Sequence, residues 1–259
     1  MRSGALIQVG QVARRSVVRT LRQPAQIVPS LVFPMFLLAI NSAGLQRVTS
    51  LPGFPTDSFL TFALAIPFMQ GALFSVMNAG TDLARDIETG FLNRLALTPL
   101  RNPMLLTGLL AGAIVLGLLQ AIAFLLVGLV AGASFAAGLP GVLVIVALSM
   151  LITVGFGAIG LIAALRTGSG EAVQGLFPVF FVFLFLSSMN LPRNLIQTDW
   201  FREVATYNPV SYLIEGIRSL LVSGWDGEAL ALGFGIAGVI AVAAITLASV
   251  ALKTRLVRT

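Results

Sequence analysis

The residue types that most often carry chemistry are scarce in this sequence, and the scarcity is informative. There is no Cys and no His, which removes thiol chemistry, disulfides, Cys/His metal sites and imidazole acid–base catalysis together. The only lysine is Lys253, near the C-terminus. A phosphate-cradling G-x-x-x-x-G-K-[ST] loop therefore has nothing to build on, and this chain does not hydrolyse ATP by itself. Acidic residues cluster once, as Asp82, Asp86 and Glu88. Three carboxylates could hold a divalent cation, but the further acids at fixed spacing that a metal-dependent lipid phosphotransferase uses are not found.

The elements that must position these few groups are read from composition. Of 259 residues, 57% are hydrophobic and only 10% charged, against about 25% charged in a soluble domain. Such a chain cannot cover a water-facing surface, so its solvent is largely lipid. The expected fold is an all-α membrane protein, a single domain over 26–259 with six transmembrane helices at approximately 26–45, 58–80, 103–132, 139–165, 171–189 and 229–252. Each is near the ~20 residues a helix needs to cross the hydrocarbon. Pro29, Pro34, Pro67 and Pro178 fall inside spans and predict kinks, with neighbouring helices satisfying the freed carbonyls. Gly and Ala in the third, fourth and sixth spans predict close helix packing.

Residues 1–25 contain five arginines and no acid. Leu6, Val9, Ala13, Val17 and Leu21 share one side of a helical wheel, and Gln8, Gln11, Arg15, Arg19 and Arg22 the other. That pattern predicts an amphipathic helix lying in the membrane interface. A cleavable signal peptide is the competing reading, but no apolar core follows the first arginine. With the N-terminus inside, the cytoplasmic segments hold twelve of the sixteen basic residues, so both termini are expected in the cytoplasm. The net charge of +6 reports this orientation; no basic patch suited to nucleic acid is present.

Two connections stand out. The cytoplasmic loop 81–102 carries Asp86, Glu88, Gly90, Phe91, Arg94, Leu95, Thr98 and Pro99. Phe91, Leu92 and Leu95 form an apolar strip on a short helix that Pro99 ends. Such a helix is a handle by which a partner could tilt the second and third spans; an ordinary solvated loop is the alternative on spacing alone. The external region 190–228 is longer and not simply polar. Within it, Pro209 to Val222 predicts a re-entrant helix between spans five and six, too short to cross, with Leu213, Ile217, Leu220 and Leu221 on one side. Asn208-Pro209 starts it. Glu215 and Arg218, three apart, are expected to form a local pair.

Loop and external run together resemble the type 2 ABC exporter permeases, most nearly the daunorubicin-resistance-like group. Asp86–Pro99, with carboxylates ahead of Gly90 and Thr98-Pro99 at its end, is similar to that family's coupling helix. Tyr207-Asn-Pro-Val-Ser-Tyr-Leu-Ile-Glu-Gly-Ile-Arg218 is similar to its signature before the last span, carried here by Asn208, Pro209, Tyr212, Glu215 and Arg218. Asn93 departs from the pattern, since many members carry an acid there. The resemblance implies a homodimer of permeases in the bacterial plasma (inner) membrane, with two copies of a separate ATP-binding subunit on the cytoplasmic side. ATP and Mg would be bound by that subunit, and no cofactor by this chain.

No charged residue lies near the middle of a predicted span, where ion-coupled transporters keep one. Transport would thus depend on a partner's energy. In the family the first, second and fifth spans approach the dimer axis, so Phe62, Phe68, Gln70, Phe177, Phe181 and Phe185 could line a path for an amphipathic substrate; the alternative is that the rings pack or face lipid. Gln70 and Gln120 are expected to make interhelical hydrogen bonds. Three readings follow: an ATP-driven exporter of hydrophobic compounds (drug or lipid-like), a polysaccharide or lipid-linked glycan permease of the same superfamily, and an ion-coupled or passive transporter.

Overall fold

The computed structural model describes residues 2–96 and 102–258, with side chains from 9 onward except at 93, 95–96, 102–104 and 257–258. Every regular element among the described residues is helical. The chain runs α1 (Arg2–Leu21), α2 (Pro24–Leu45), α3 (Phe59–Ala63), α4 (Ile66–Glu88), α5 (Phe91–Ala96), α6 (Asn102–Val130) and α7 (Gly138–Thr167). It continues through α8 (Gly170–Gln174), α9 (Leu176–Phe185), α10 (Asp199–Tyr207), α11 (Pro209–Val222) and α12 (Gly227–Arg258).

Among the described residues, five stretches are long and apolar enough to cross a membrane: Pro24–Ser50, Phe59–Glu88, Leu105–Val130, Gly138–Thr167 and Gly227–Leu256. The predicted fifth span is shorter than expected. Its apolar helix covers Gly170–Phe185 and stops before Met189.

The prolines explain where helices break. Proline at position i leaves the carbonyl of i−4 without its donor. Four residues before Pro67 is Ala63, where α3 ends, and four before Pro178 is Gln174, where α8 ends. At both joints the linking residues keep right-handed helical dihedrals, so the axis bends without unravelling. Pro34 lies inside α2, which continues through it. The carbonyl it frees, Ser30 O, accepts a hydrogen bond from Gln120 Nε2 of α6 at 3.3 Å. A neighbouring helix thus supplies the missing donor, as lipid cannot.

Helix α4 is the axis of the bundle, with most of its residues buried. In hydrocarbon, burying one apolar surface against another gains little from the hydrophobic effect; close packing and hydrogen bonds must hold the helices. Small residues provide the approach. A Cβ on Gly160 of α7 would stand 2.0 Å from Val76 O, and one on Gly80 of α4 would stand 2.8 Å from Gly160 O. Between α7 and α12 the contact is Gly155 on Ala241. Ser75 Oγ adds a hydrogen bond from α4 to Thr153 O of α7 at 3.2 Å.

Helix α1 packs along α6. Val12 lies over Gly108, and Ser16 and Thr20 lie over Gly112, where a Cβ would meet Thr20 Oγ1 at 2.4 Å. This corrects the expected faces of α1. Val12 and Thr20 are buried while Leu21 is 48% exposed, and Arg15 and Arg19 turn toward the bundle. The reason is electrostatic: α4 presents two carboxylates at matching spacing.

Candidate functional site

The candidate sites lie at the two ends of α4. At its C-terminal end, Arg15 and Arg19 of α1 are one turn apart, as are Asp82 and Asp86 of α4. Arg15 donates a fork of two bonds to Asp86, at 2.9 and 2.8 Å. Arg19 reaches Asp86 at 2.9 Å and Asp82 at 3.1 Å, and also donates to Asp82 O at 3.2 Å. Planar forks suit such bidentate pairing, and the charge-assisted bonds are among the stronger ones available. The bond to Asp86 is the main reason the Arg15 guanidinium is held above its ordinary range, against the opposing effect of burial.

The same guanidinium sits 3.7 Å from the centre of the Phe91 ring, the first residue of α5. One arginine therefore ties α1 to both α4 and α5. Between α4 and α5, Gly90 adopts φ +67°. That left-handed conformation lets the chain turn sharply, and nothing lies within 4 Å of where a Cβ would be, so glycine is needed for its backbone freedom rather than for space.

The expected coupling residues thus divide. Asp86 is buried in the ion-pair cluster and faces α1, while Glu88 and Arg94 are exposed. Leu92, on α5, is fully buried. The side chain of Leu95, and Thr98 and Pro99 altogether, lie outside the described residues. Arg15, Arg19 and Asp82 were missed as members of this group. The i,i+4 spacing of both charge pairs was the available signal.

At the other end of α4, α11 organises the chain between α9 and α12. Asn208 Oδ1 accepts from Val210 N and caps the helix that Pro209 begins. Its Nδ2 donates to Phe183 O and Leu186 O, at 2.6 and 2.9 Å, closing the end of α9. Tyr212 donates to Thr206 O at 2.8 Å, and its ring lies 4.4 Å from the Arg193 guanidinium carbon.

The expected Glu215–Arg218 pair does not form. Glu215 accepts from Arg193 at 2.6 Å and from Ser188 Oγ at 2.7 Å. Burial alone would lower the Arg193 pKa, but Glu215 and Tyr212 outweigh it and the net shift is upward.

Arg218 points the opposite way. It is 6% exposed and donates to three carbonyls: Phe62 O at 3.0 Å, Ser188 O at 2.8 Å and Met189 O at 2.7 Å. Phe62 O lies in the last turn before the α3–α4 break, and Ser188 and Met189 follow α9. Phe62 O stands at a helix interruption and the other two in non-helical chain, where buried carbonyls need a donor from elsewhere. The Phe62 ring stacks below the guanidinium at 3.6 Å. Thus Arg218 joins α3, α11 and the segment after α9 through backbone groups.

The aromatic residues named as a possible path separate into two sets. Phe62, Phe68 and Gln70 are buried, at 0%, 5% and 2% exposure. Phe68 packs edge-on against Phe124 of α6, and the Gln70 Oε1 makes no hydrogen bond. These three lie in the core of a single chain. Phe177, Phe181 and Phe185 instead line an open apolar groove of about 610 Å³ on α9, with Pro178, Val182 and Leu186. Their rings continue inward through Phe33 of α2 and Phe74 of α4.

The profile of the ABC-2 type transporter family matches residues 7–222. The chain belongs to that family. The permease is 26% identical over 214 residues to the putative transport permease ycf38 of Porphyra purpurea, covering 82% of this chain and 72% of the relative. It is 27% identical over 230 residues to ycf38 of Pyropia yezoensis, covering 86% and 78%. It is also 25% identical over 211 residues to the probable doxorubicin resistance ABC transporter permease protein DrrC of Mycobacterium tuberculosis (strain ATCC 25618 / H37Rv), covering 81% and 75%. The matched region of the permease contains both the Gly90 turn and the Arg218 junction.

Proposed function

We propose that this chain is the transmembrane subunit of an ATP-driven exporter that moves hydrophobic or amphipathic compounds, drug-like or lipid-like, out of a bacterial cytoplasm. It works as a homodimer in the inner membrane with two copies of an ATP-binding subunit, which binds ATP and Mg. Both termini are cytoplasmic, following the bias of arginine. Six crossings result when the kinked Gly170–Phe185 helix and the segment after it complete the fifth span. Helix α1 lies where the bundle meets the cytoplasmic headgroups, and α10 and α11 re-enter from outside.

The observation that carries this reading is the joint at Gly90. It places a six-residue helix at the end of the most buried of the candidate spans, Phe59–Glu88, with Arg15 fastening the joint to α1. A push on α5 is then delivered to α4 and α1 together. Exposed Glu88 and Arg94 are available to the ATP-binding subunit, while Asp86 transmits force internally. The DrrC relative, named for doxorubicin resistance, supports an amphipathic substrate, and the open groove along Phe177, Phe181 and Phe185 suits one.

Co-expression with the ATP-binding subunit, purification in mild detergent and reconstitution into liposomes test the proposal. A complex with equal numbers of the two subunits should form, and an amphipathic drug should accelerate its ATP hydrolysis. Uptake of drug that proceeds without the ATP-binding subunit would overturn it.

A further inference from the structure

Helix α10 carries Trp200, Glu203, Val204 and Tyr207 at i, i+3, i+4 and i+7, a spacing that sets them on one face. With Phe183 and Leu186 at the end of α9 they line an open pocket of about 460 Å³. Its rings are uncovered: Phe183 is 48% exposed, Trp200 63% and Tyr207 80%. Among the described residues, Glu203 is the only charged group in the lining. The arginines of this region are engaged elsewhere. Arg202 pairs with Asp199 and donates to Ile196 O at 3.2 Å, and Arg193 pairs with Glu215 at 2.6 Å. The Glu203 side chain has no such partner among the described residues. Leu186 also borders the groove along Phe177, Phe181 and Phe185, so groove and pocket meet at one residue.

We propose that this pocket binds a lipophilic organic cation, a substituted ammonium or phosphonium, with its charge on Glu203 and its apolar groups against Phe183, Trp200 and Tyr207. Exposed Trp and Tyr alone would read as anchors at the lipid–water boundary. The carboxylate among them adds a charge to be met. A cation meets it and is also attracted by the faces of the aromatic rings, whereas an anion of the same size is repelled by both. The chemistry of the pocket stands by itself. That its ligand is cargo arriving along α9 rests on the exporter reading.

Tetraphenylphosphonium and tetraphenylborate, nearly equal in size and opposite in charge, give a direct test by equilibrium dialysis. Each is measured separately against the full chain in neutral detergent. The cation should bind saturably, and the anion should only partition into the micelle. Glu203→Gln should weaken the cation about five-fold, the upper end for an exposed ion pair, and Glu203→Asp should keep part of the affinity. Trp200→Leu, which retains apolar surface but no ring, should weaken it about three-fold; Trp225→Leu should leave it unchanged. Equal binding of the two ions overturns the proposal, as does an unchanged affinity in Glu203→Gln. No saturable binding of either ion, the result if a second copy covers this face, also overturns it. So does displacement of the cation by an equal concentration of phosphatidylethanolamine, which would show a lipid-headgroup site. Because neither ATP nor the ATP-binding subunit is present, failure here is separate from failure of the exporter reading.

Discussion

Replacing Arg218 with methionine should destabilise the permease more than any exposed-charge substitution. Methionine keeps much of the stem but leaves the carbonyls of Phe62, Ser188 and Met189 without the donors they now have at 2.7–3.0 Å. An orphaned buried acceptor costs about 1–3 kcal/mol, so three amount to roughly 3–9 kcal/mol. Relief from burying a guanidinium offsets part of this, leaving ~4 kcal/mol, in the range of removing one partner from a buried charged pair. At about 2–4 °C per kcal/mol for a chain of this size, the unfolding midpoint should fall by roughly 8–16 °C. Glu215→Gln weakens a partly exposed pair with Arg193 and should cost about 1 kcal/mol. Arg218→Lys should fall between, because an ammonium cannot serve three carbonyls from a planar fork. Thermal unfolding in detergent, read by fluorescence of Trp200 and Trp225, measures all three. A midpoint for Arg218→Met within about 2 °C of the parent would refute the claim that this side chain holds the junction together.

Gly90→Ala should reduce drug-stimulated ATP hydrolysis several-fold with little loss of folded protein, since its φ of +67° strains a side chain by about 1 kcal/mol. Gly90→Asn, which tolerates that conformation better, should retain more. Gly160→Ala should abolish folded expression, because its Cβ would stand 2.0 Å from Val76 O; Gly238→Ala, with nothing within 4 Å, should be neutral. Gln120→Leu should cost about 1 kcal/mol by stripping the donor from Ser30 O. The loss should largely vanish with Pro34→Ala, whose N–H serves that carbonyl; equal losses in both backgrounds would show that the glutamine acts otherwise.

Much of the scaffold was legible because its signals are local. Pro209 and Val222 bound α11 as its capping pair and apolar spacing required, and four of the predicted spans match long apolar helices to within a turn or two. The fifth differs because the apolar run outlasts the helix, which ends at Phe185. What stayed hidden is polar and long-range. Arg218 is satisfied by backbone carbonyls as far as 156 residues away, and carbonyls leave no trace in residue identity, so the nearby Glu215 looked like its partner. Arg15 and Arg19 looked like a solvated face because Asp86, which pairs with both, lies 71 and 67 positions away.

The absence of Cys makes the decisive measurement clean. Arg94→Cys puts the chain's only thiol on the exposed side of α5, where a photoactivatable cross-linker can be attached in the assembled transporter. The account predicts that the label captures the ATP-binding subunit and that ATP changes the yield. Labelling from the outer side of the membrane, or an absence of adduct with that subunit in either nucleotide state, would contradict it.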